Sequence, residues 1–542
     1  MIVRAVTKNS KGEFSEVNSR TYFVTTDDLA QYQDLTVISI VTNPENLFDP
    51  DTGIYVTGTM YQEWKKSDEY DPNENLWDKN GKCNYFMRGE QWEREASVTI
   101  FDKGEKIVQQ NLGIRIKGSS SRNNPGKSFN LFAHKKYGNA IIEAKLLDDN
   151  YDIKRNLITK YKSISLRCIY EQGRLKDKFG RDLFYSRKSL TTGNMRPIIL
   201  FLNGEYWGLY IMQEKLDNNF IESNYLIPSE NVAIVKEAEI EEGPKEEWEQ
   251  LKNFFDEYSK KDLADEKVYE DIKNYIDINS MIEFFATGIY ISIGTWPAQN
   301  EVEWRNMGDK IEGNRYSDGK WRFMIYDLDY TMGTQFHGVG LYDSDNFKFV
   351  ESKSDKFPSN LFIGLLKNNT DFRNKFINIY CDYANEIYKS ERVNELIEKY
   401  RNEYLEIVAY SQLRWWGWDS KLEGYSNYKQ RYLTALNSLS EFFEKRAQYT
   451  LQHMQDFLQL ENNLVNLTIE IKGNGKIIVN SISPKFNNGK WSGNYFTRIP
   501  ILLWAIPGEG YEFKGWSGSV EYSQQIIEIQ LKEKSSIIAV FE

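Results

Sequence analysis

The sequence predicts an α+β protein: a β-rich first part, a helical second part and a small all-β tail. Three observations predict it. Between residues 36 and 135 the apolar residues come in short runs, LTVISIVT, ASVTIFD, LGIRIKG and KSFNLFA, broken by Gly, Pro, Asn and Asp. Between 359 and 460 they recur at spacings of three and four, as in NKFINIYCDYANEIY and LNSLSEFFEKRAQYTLQHMQDFLQL, the spacing of amphipathic helices. After 460 short strand-like runs return, separated by Gly, Asn and Pro.

Taken in order, residues 1–25 read as the last hairpin of a small β module, and TTDDLAQYQD as a polar link. NPENLFDPDTGIYV carries turn chemistry. Segments 177–187 and 215–225 read as helices. Between them, RPIILFLNGEYWGLYIMQEKLD is a β-hairpin around Asn203-Gly204. Residues 245–290 read as mainly helical, and WRFMIYDLDYTMG as a buried strand ending in carboxylates. The expected domains are 1–25, 36–460 and 466–542, with the last boundary near 462–466 where helices give way to strands.

The chain has 542 residues and a formal net charge of −11, which argues against nucleic acid as the main partner. Aromatics reach 15%, a share that fits extracellular or glycan-facing β proteins. The three cysteines and three histidines are scattered, so neither a disulfide framework nor a Cys/His zinc site is expected. No apolar run approaches the roughly 18 residues of a membrane helix. The start, MIVRAVTKNSKGE, is not a signal peptide and reads as the middle of a strand, so a fragment with any export signal upstream is expected.

Four features carry chemistry. Asp327-Leu328-Asp329, read as the end of a strand, puts two carboxylates on one face, suited to a divalent cation holding phosphate oxygens; exposed turn aspartates are the plain alternative. In GIRIKGSSSRNNPGKSFNLF, Arg115, Lys117 and Lys127 flank a Gly/Ser turn, as in hairpins that cover nucleotide phosphates, or in an ordinary polar hairpin. Glu214 ends the second hairpin strand and is placed to orient Lys127, or simply to favour a helix start. Asn300 and Glu303 lie between Trp296 and Trp304, and Asn suits a second Mg²⁺; Trp296 reads equally as core.

These segments, in order from about residue 36 to 458, resemble the CotH kinase family. The resemblance implies an atypical, protein-kinase-like two-lobed core that binds ATP with Mg²⁺ (or Mn²⁺) and phosphorylates Ser/Thr of secreted or spore proteins. It places the family's basic residues on Arg115 and Lys127, its acidic hairpin-end residue on Glu214, its metal-binding aspartate on Asp327 beside Asp329, and its asparagine on Asn300. One departure stands out: where relatives read N-x-D-W-P, this chain reads Ile293-Gly294-Thr295-Trp296-Pro297. Thr295 occupies the position of the expected catalytic Asp and cannot take a proton as a carboxylate does; Glu301 or Glu303 substitutes only if the backbone turns it inward. The tail resembles a divergent internalin B-type repeat and the first 25 residues the end of a chitobiase C-terminal-like module. Both imply an extracellular or cell-envelope protein of a bacterium.

Three functions compete. One is a protein kinase acting on a protein substrate. The second is a pseudokinase serving as a surface or cell-wall structural protein, favoured by Thr295. The third is a glycosyltransferase using Asp327 and Asp329, which requires a parallel doubly wound sheet.

Overall fold

The computed structural model describes residues 1–15, 17–23, 34–72, 82–169, 175–185, 190–297, 299–416 and 421–542. Most of the expected TTDDLAQYQD link, residues 25–33, lies outside the described residues. The chain packs into two compact units, each drawn from separate stretches. The first comprises Met1–Leu175, Gly193–Glu230 and Glu403–Thr434; the second comprises Lys176–Thr192, Asn231–Asn402 and Ala435–Glu542.

The first unit opens with a hairpin of β1 (Ile2–Ala5) and β2 (Asn18–Thr21). Its centre is a closed barrel of β3 (Thr36–Val41), β4 (Arg94–Asp102), β5 (Glu105–Lys117), β6 (Ser128–Phe132), β9 (Ser163–Cys168), β10 (Met195–Leu202) and β11 (Glu205–Gln213). β7 (Ile142–Glu143) and β8 (Lys160–Tyr161) form a small separate ribbon. Neighbouring barrel strands run antiparallel except where β3 meets β10 and closes the ring. Alternate residues fill the interior: Ile38, Ile40, Val98, Ile100, Leu112, Ile114, Phe129, Leu131, Ile164, Leu166, Tyr210 and Met212 form one buried cluster. The β10–β11 hairpin turns at Asn203 (φ 50°) and Gly204 (φ 86°), the left-handed pair that a two-residue hairpin demands. The NPENLFDP stretch departs from the turn expected of it. It holds α1 (Pro44–Phe48), because Pro at a helix's first position lacks only an N–H that would be orphaned anyway. α2 (Gly58–Trp64) and α4 (Asn218–Tyr225) complete the regular helices wholly within this unit.

The second unit begins within α3 (Leu175–Phe184), which follows β9 in the chain. Its sheet has the order β13 (Glu239–Glu242), β12 (Val232–Lys236), β14 (Val302–Asn306), β15 (Arg322–Met324), antiparallel throughout. Beside it pack α5 (Glu246–Tyr258) and α7 (Ile278–Tyr290), with α6 (Glu266–Tyr275), α8 (Asn346–Glu351), α9 (Ser359–Asn368) and α10 (Thr370–Asp382) around them. α7 is apolar nearly all round and buried from end to end, which marks a central helix. Phe285 of α7 stacks flat on Phe362 of α9, ring centres 3.7 Å apart. α11 (Ser390–Trp416) and α12 (Lys421–Phe457) follow, each contributing residues to both units.

The tail starts at β16 (Leu464–Lys472) and forms two sheets. One has the order β18 (Lys490–Phe496), β16, β22 (Ser535–Phe541), β20 (Phe513–Gly518); the other β17 (Gly475–Val479), β19 (Pro500–Pro507), β21 (Ile526–Gln530). This tail is fastened to α10 and to the π-helical turn Tyr383–Ile387 that follows it. The buried Asp382 carboxylate accepts hydrogen bonds from the Ser481 backbone N–H (2.9 Å) and from the hydroxyls of Ser481 (2.5 Å) and Tyr495 (2.7 Å). Asn385 pairs with the Asn494 backbone as a neighbouring strand would, donating at 2.9 Å and accepting at 2.8 Å.

Removing the Asp382 carboxylate leaves buried donors without an acceptor, which costs about 2–3 kcal/mol. Asp382→Ala is therefore expected to lower the melting temperature measured by calorimetry. An unchanged melting temperature would mean that the tail does not depend on this carboxylate.

Candidate functional site

β14 and β15 bring two of the expected residues together. Val302 pairs with Met324 in the last registered pair, so Asn300 and Asp327 leave the same end of one antiparallel ladder, two and three residues beyond it. Both have left-handed backbone, φ 61° at Asn300 and φ 58° at Asp327. Asn and Asp bear that conformation at least cost among non-glycine residues, and such residues gather at functional sites. The same backbone corrects one expectation. β15 ends at Met324, so Asp327-Leu328-Asp329 lies in a turn and strand alternation does not aim its carboxylates. Asp327 is half-buried, while Leu328 and Asp329 are buried.

Two loops meet here. Gly294 N–H donates to Tyr330 O (3.0 Å), Met332 N–H donates to Ile291 O (3.1 Å), and the His337 ring lies 3.2 Å from Gly294 O. These bonds lay the segment after Asp327 against the one that carries Thr295. Asn300 Nδ2 donates to Thr295 Oγ1 at 3.0 Å. That bond uses the amide's nitrogen and leaves Oδ1 as an oxygen available to a ligand. Thr295 thus orients Asn300.

α3 supplies partners that sequence reading did not single out. Lys176, buried, donates to Thr331 O (3.4 Å), Met332 O (3.2 Å) and Thr334 Oγ1 (2.5 Å). Burial pulls its pKa down to about 8, opposed by the Asp329 charge. Asp177 accepts from the Leu328 N–H (3.3 Å) and from Arg181 Nε (2.8 Å), fixing the turn between the two aspartates. Gly180 lets Leu328 approach: a Cβ there would meet Leu328 Cδ1 at 2.8 Å. A glycine inside LKDKFGRDLF, costing about 1 kcal/mol of helix propensity, was the available signal.

The remaining expected residues belong to the first unit and do not act as one group there. Arg115 alternates with buried Ile114 and Ile116, so it points outward from the barrel. Its guanidinium lies 3.9 Å from the Phe132 ring centre and 3.4 Å from Glu93, a carboxylate also approached by His134 and Lys136. Lys127, only 4% exposed, donates to the carbonyls of Arg122 (2.8 Å) and Asn124 (3.1 Å) beneath the Tyr85 ring. Burial lowers its pKa to about 8. The cation therefore staples its own Gly/Ser hairpin.

The expected Lys127–Glu214 ion pair does not form. Phe129, Leu166 and Met212 stand in one register across three strands, so Lys127 and Glu214 are offset by four residues. That is about 13 Å along the sheet. Glu214 instead accepts from Asn150 (3.1 Å), Asn224 (2.8 Å) and the Asn194 backbone N–H (3.1 Å).

Trp296 is a core residue, its ring 5.0 Å from both Phe284 and Phe285. Glu303 pairs in register with Phe323, which packs on the same phenylalanines, so it points into the apolar core. It is 0% exposed, neither carboxyl oxygen has a hydrogen-bond partner, and burial pushes its pKa well up. Glu301, just before β14, is 3% exposed and raised to about 7 by burial. Both backbone positions are inward, and both acids favour their neutral forms.

Asp327 and Asn300 carry the oxygen donors that hard divalent cations take. Among the described residues no group of three or more His, Cys, Asp or Glu is arranged to hold a metal. Mg²⁺ does not need one, since it takes one or two protein oxygens and completes its shell with phosphates and water. No helix among the described residues is long and apolar enough to cross a membrane.

The family model described as CotH kinase protein matches residues 114–450, which span α3, α7 and both loops of the site. The chain belongs to the CotH kinase family, and its mixed α+β fold is consistent with a kinase-like domain. No curated protein matches the chain.

Glu301 gives the site a pH signature. Its folded pKa of about 7 exceeds the ordinary 4.5, so the folded state keeps a proton that the unfolded state has lost. Its contribution is full below about pH 4.5 and is lost as pH rises through about 7, roughly 3 kcal/mol in all. In urea titrations between pH 5 and 8, Glu301→Gln should lose stability less steeply than wild type by about 2 kcal/mol. Parallel curves would contradict the burial of this carboxyl.

Proposed function

We propose that this chain is an extracellular CotH-type kinase-like protein that takes ATP with Mg²⁺ (or Mn²⁺) at the end of the β14–β15 ladder. The residues 36–460 are proposed as its kinase-like domain, between an N-terminal β module and the tail domain 466–542. The observation that carries this is the pairing of Asn300 and Asp327 at adjoining strand ends, with Thr295 holding the asparagine amide. Asp327 and Asn300 Oδ1 would hold the metal ion, which, when bound, bridges and neutralises nucleotide phosphates. Asp329 is the second acid of the turn, its negative charge balanced by Lys176. Lys127 and Arg115, in the first unit, are held by the Gly/Ser hairpin carbonyls and by Glu93, and are assigned no contact here. Glu214, held by three amides, supports the barrel end.

Thr295 decides between turnover and binding alone. A threonine hydroxyl cannot accept the proton of a Ser or Thr acceptor at neutral pH, and loss of a positioned base removes about 10²–10⁴ in rate. We therefore favour slow or absent transfer to Ser/Thr of a secreted or surface protein, and the pseudokinase role in the bacterial envelope is the second reading. The glycosyltransferase alternative fares worse, because the sheet beside Asp327 is antiparallel throughout.

Titration calorimetry tests the proposal. Wild type should bind ATP in the presence of Mg²⁺, and Asp327→Ala should bind at least tenfold more weakly. With radiolabelled ATP and a casein acceptor, Thr295→Asp should raise phosphate transfer by about 10²-fold or more. Absence of nucleotide binding by wild type would end the kinase-like reading.

A further inference from the structure

Arg446 of α12 is fully buried, yet among the described residues no carboxylate lies within ion-pairing distance of it. Its five donors serve five oxygens. Nε donates to Tyr290 O (2.7 Å), Nη1 to Tyr342 O (2.9 Å) and Ser344 O (2.7 Å), and Nη2 to Ile289 O (2.7 Å) and Asn346 Oδ1 (3.3 Å). Ile289 and Tyr290 are the last residues of α7, where carbonyls lack i+4 partners and the helix dipole is negative; Ile289 O takes a long backbone bond from the Ser292 N–H (3.3 Å) besides the guanidinium. A planar fork with five N–H groups can cap two such carbonyls and reach a second chain segment at once; a lysine with three donors cannot.

The segments it grips lead directly to the site. Five residues beyond Tyr290 is Thr295, and Ser292 between them takes left-handed backbone at φ 59°. Ser292 Oγ donates to Asn346 Oδ1 (2.6 Å) and accepts from the Gly340 N–H (2.8 Å). Gly340 O in turn accepts from the Gly333 N–H (2.7 Å), at the end of the loop that starts at Asp327. One guanidinium thus ties the end of α7 to both loops that carry the candidate ligands.

We propose that Arg446 is the positioning residue of this site: it sets the relative placement of Asn300 and Asp327 without touching either. The proposal rests on the reading of those two residues as the metal–nucleotide site.

The test compares the full chain with Arg446→Met, with Arg446→Lys, and with Asn385→Ala, which removes side-chain bonds to the tail's Asn494 backbone and none to the loops. Two measurements are made on each: hydrogen exchange of residues 291–300 and 327–340, and Mg²⁺-dependent ATP affinity by calorimetry. Both Arg446 variants should exchange at least tenfold faster in these two segments, with tail exchange unchanged, and bind ATP at least tenfold more weakly. Asn385→Ala should leave loop exchange and affinity at wild-type values. Wild-type loop exchange in a folded Arg446 variant overturns the proposal, as does an equal loss of affinity in Asn385→Ala. If wild type binds no ATP, the nucleotide reading falls while loop exchange still decides the role of Arg446. If neither Arg446 variant folds, Ser292→Ala, which cuts the relay and keeps the cation, must reproduce the loop-exchange effect or the proposal fails.

Discussion

The carbonyl end of α7 is the constraint on which the candidate site depends. A helix buried from end to end cannot leave its last carbonyls to water, and an unsatisfied buried carbonyl costs as much as a lost hydrogen bond. Arg446 satisfies two of them. Because it also holds the 342–346 segment, the exit of α7 has a defined direction, and the loop with Thr295 and Asn300 starts from a fixed point. From the other side, Asp177 and Lys176 hold the turn around Leu328. The left-handed residues Ser292, Asn300, Asp327, Met332 and His337 are tolerated because these contacts over-determine the loops.

Much of the fold was legible because it follows from periodicity. Six of the seven barrel strands, the Asn203-Gly204 hairpin and the helices from 359 onward are where alternation, turn chemistry and three-to-four spacing placed them, while β9 was not read from the sequence. Asp327 and Asn300 could be singled out by residue type and by resemblance. What escaped was set by long-range geometry. The strand read through Asp327-Leu328-Asp329 ends at Met324, and Asp327 takes left-handed backbone, which no propensity reports at an aspartate. Lys127 and Glu214 are close in motif logic but four residues apart in register, a quantity fixed only when strands pair. Arg446 was invisible for the same reason: in EKRAQYTLQHMQDF nothing separates it from a surface arginine, and its role arises from carbonyls over 100 residues away.

The buried charges show where specificity outweighed stability. Lys127, Lys176 and Arg446 spend their donors on backbone carbonyls, which fixes loops but does not offset a charge as a carboxylate would. Glu303 goes further: it sits neutral in the core without a hydrogen bond, an arrangement that local sequence logic argues against. These residues concentrate around the two loops and the Gly/Ser hairpin.

Crystals grown with Mn²⁺ and a non-hydrolysable ATP analogue, read by anomalous diffraction at the manganese edge, test the central claim most directly. The account requires a manganese peak about 2.1 Å from a carboxylate oxygen of Asp327, with the Asn300 amide oxygen facing the same ion. A peak held by other residues, with Asp327 and Asn300 turned to solvent, would contradict it.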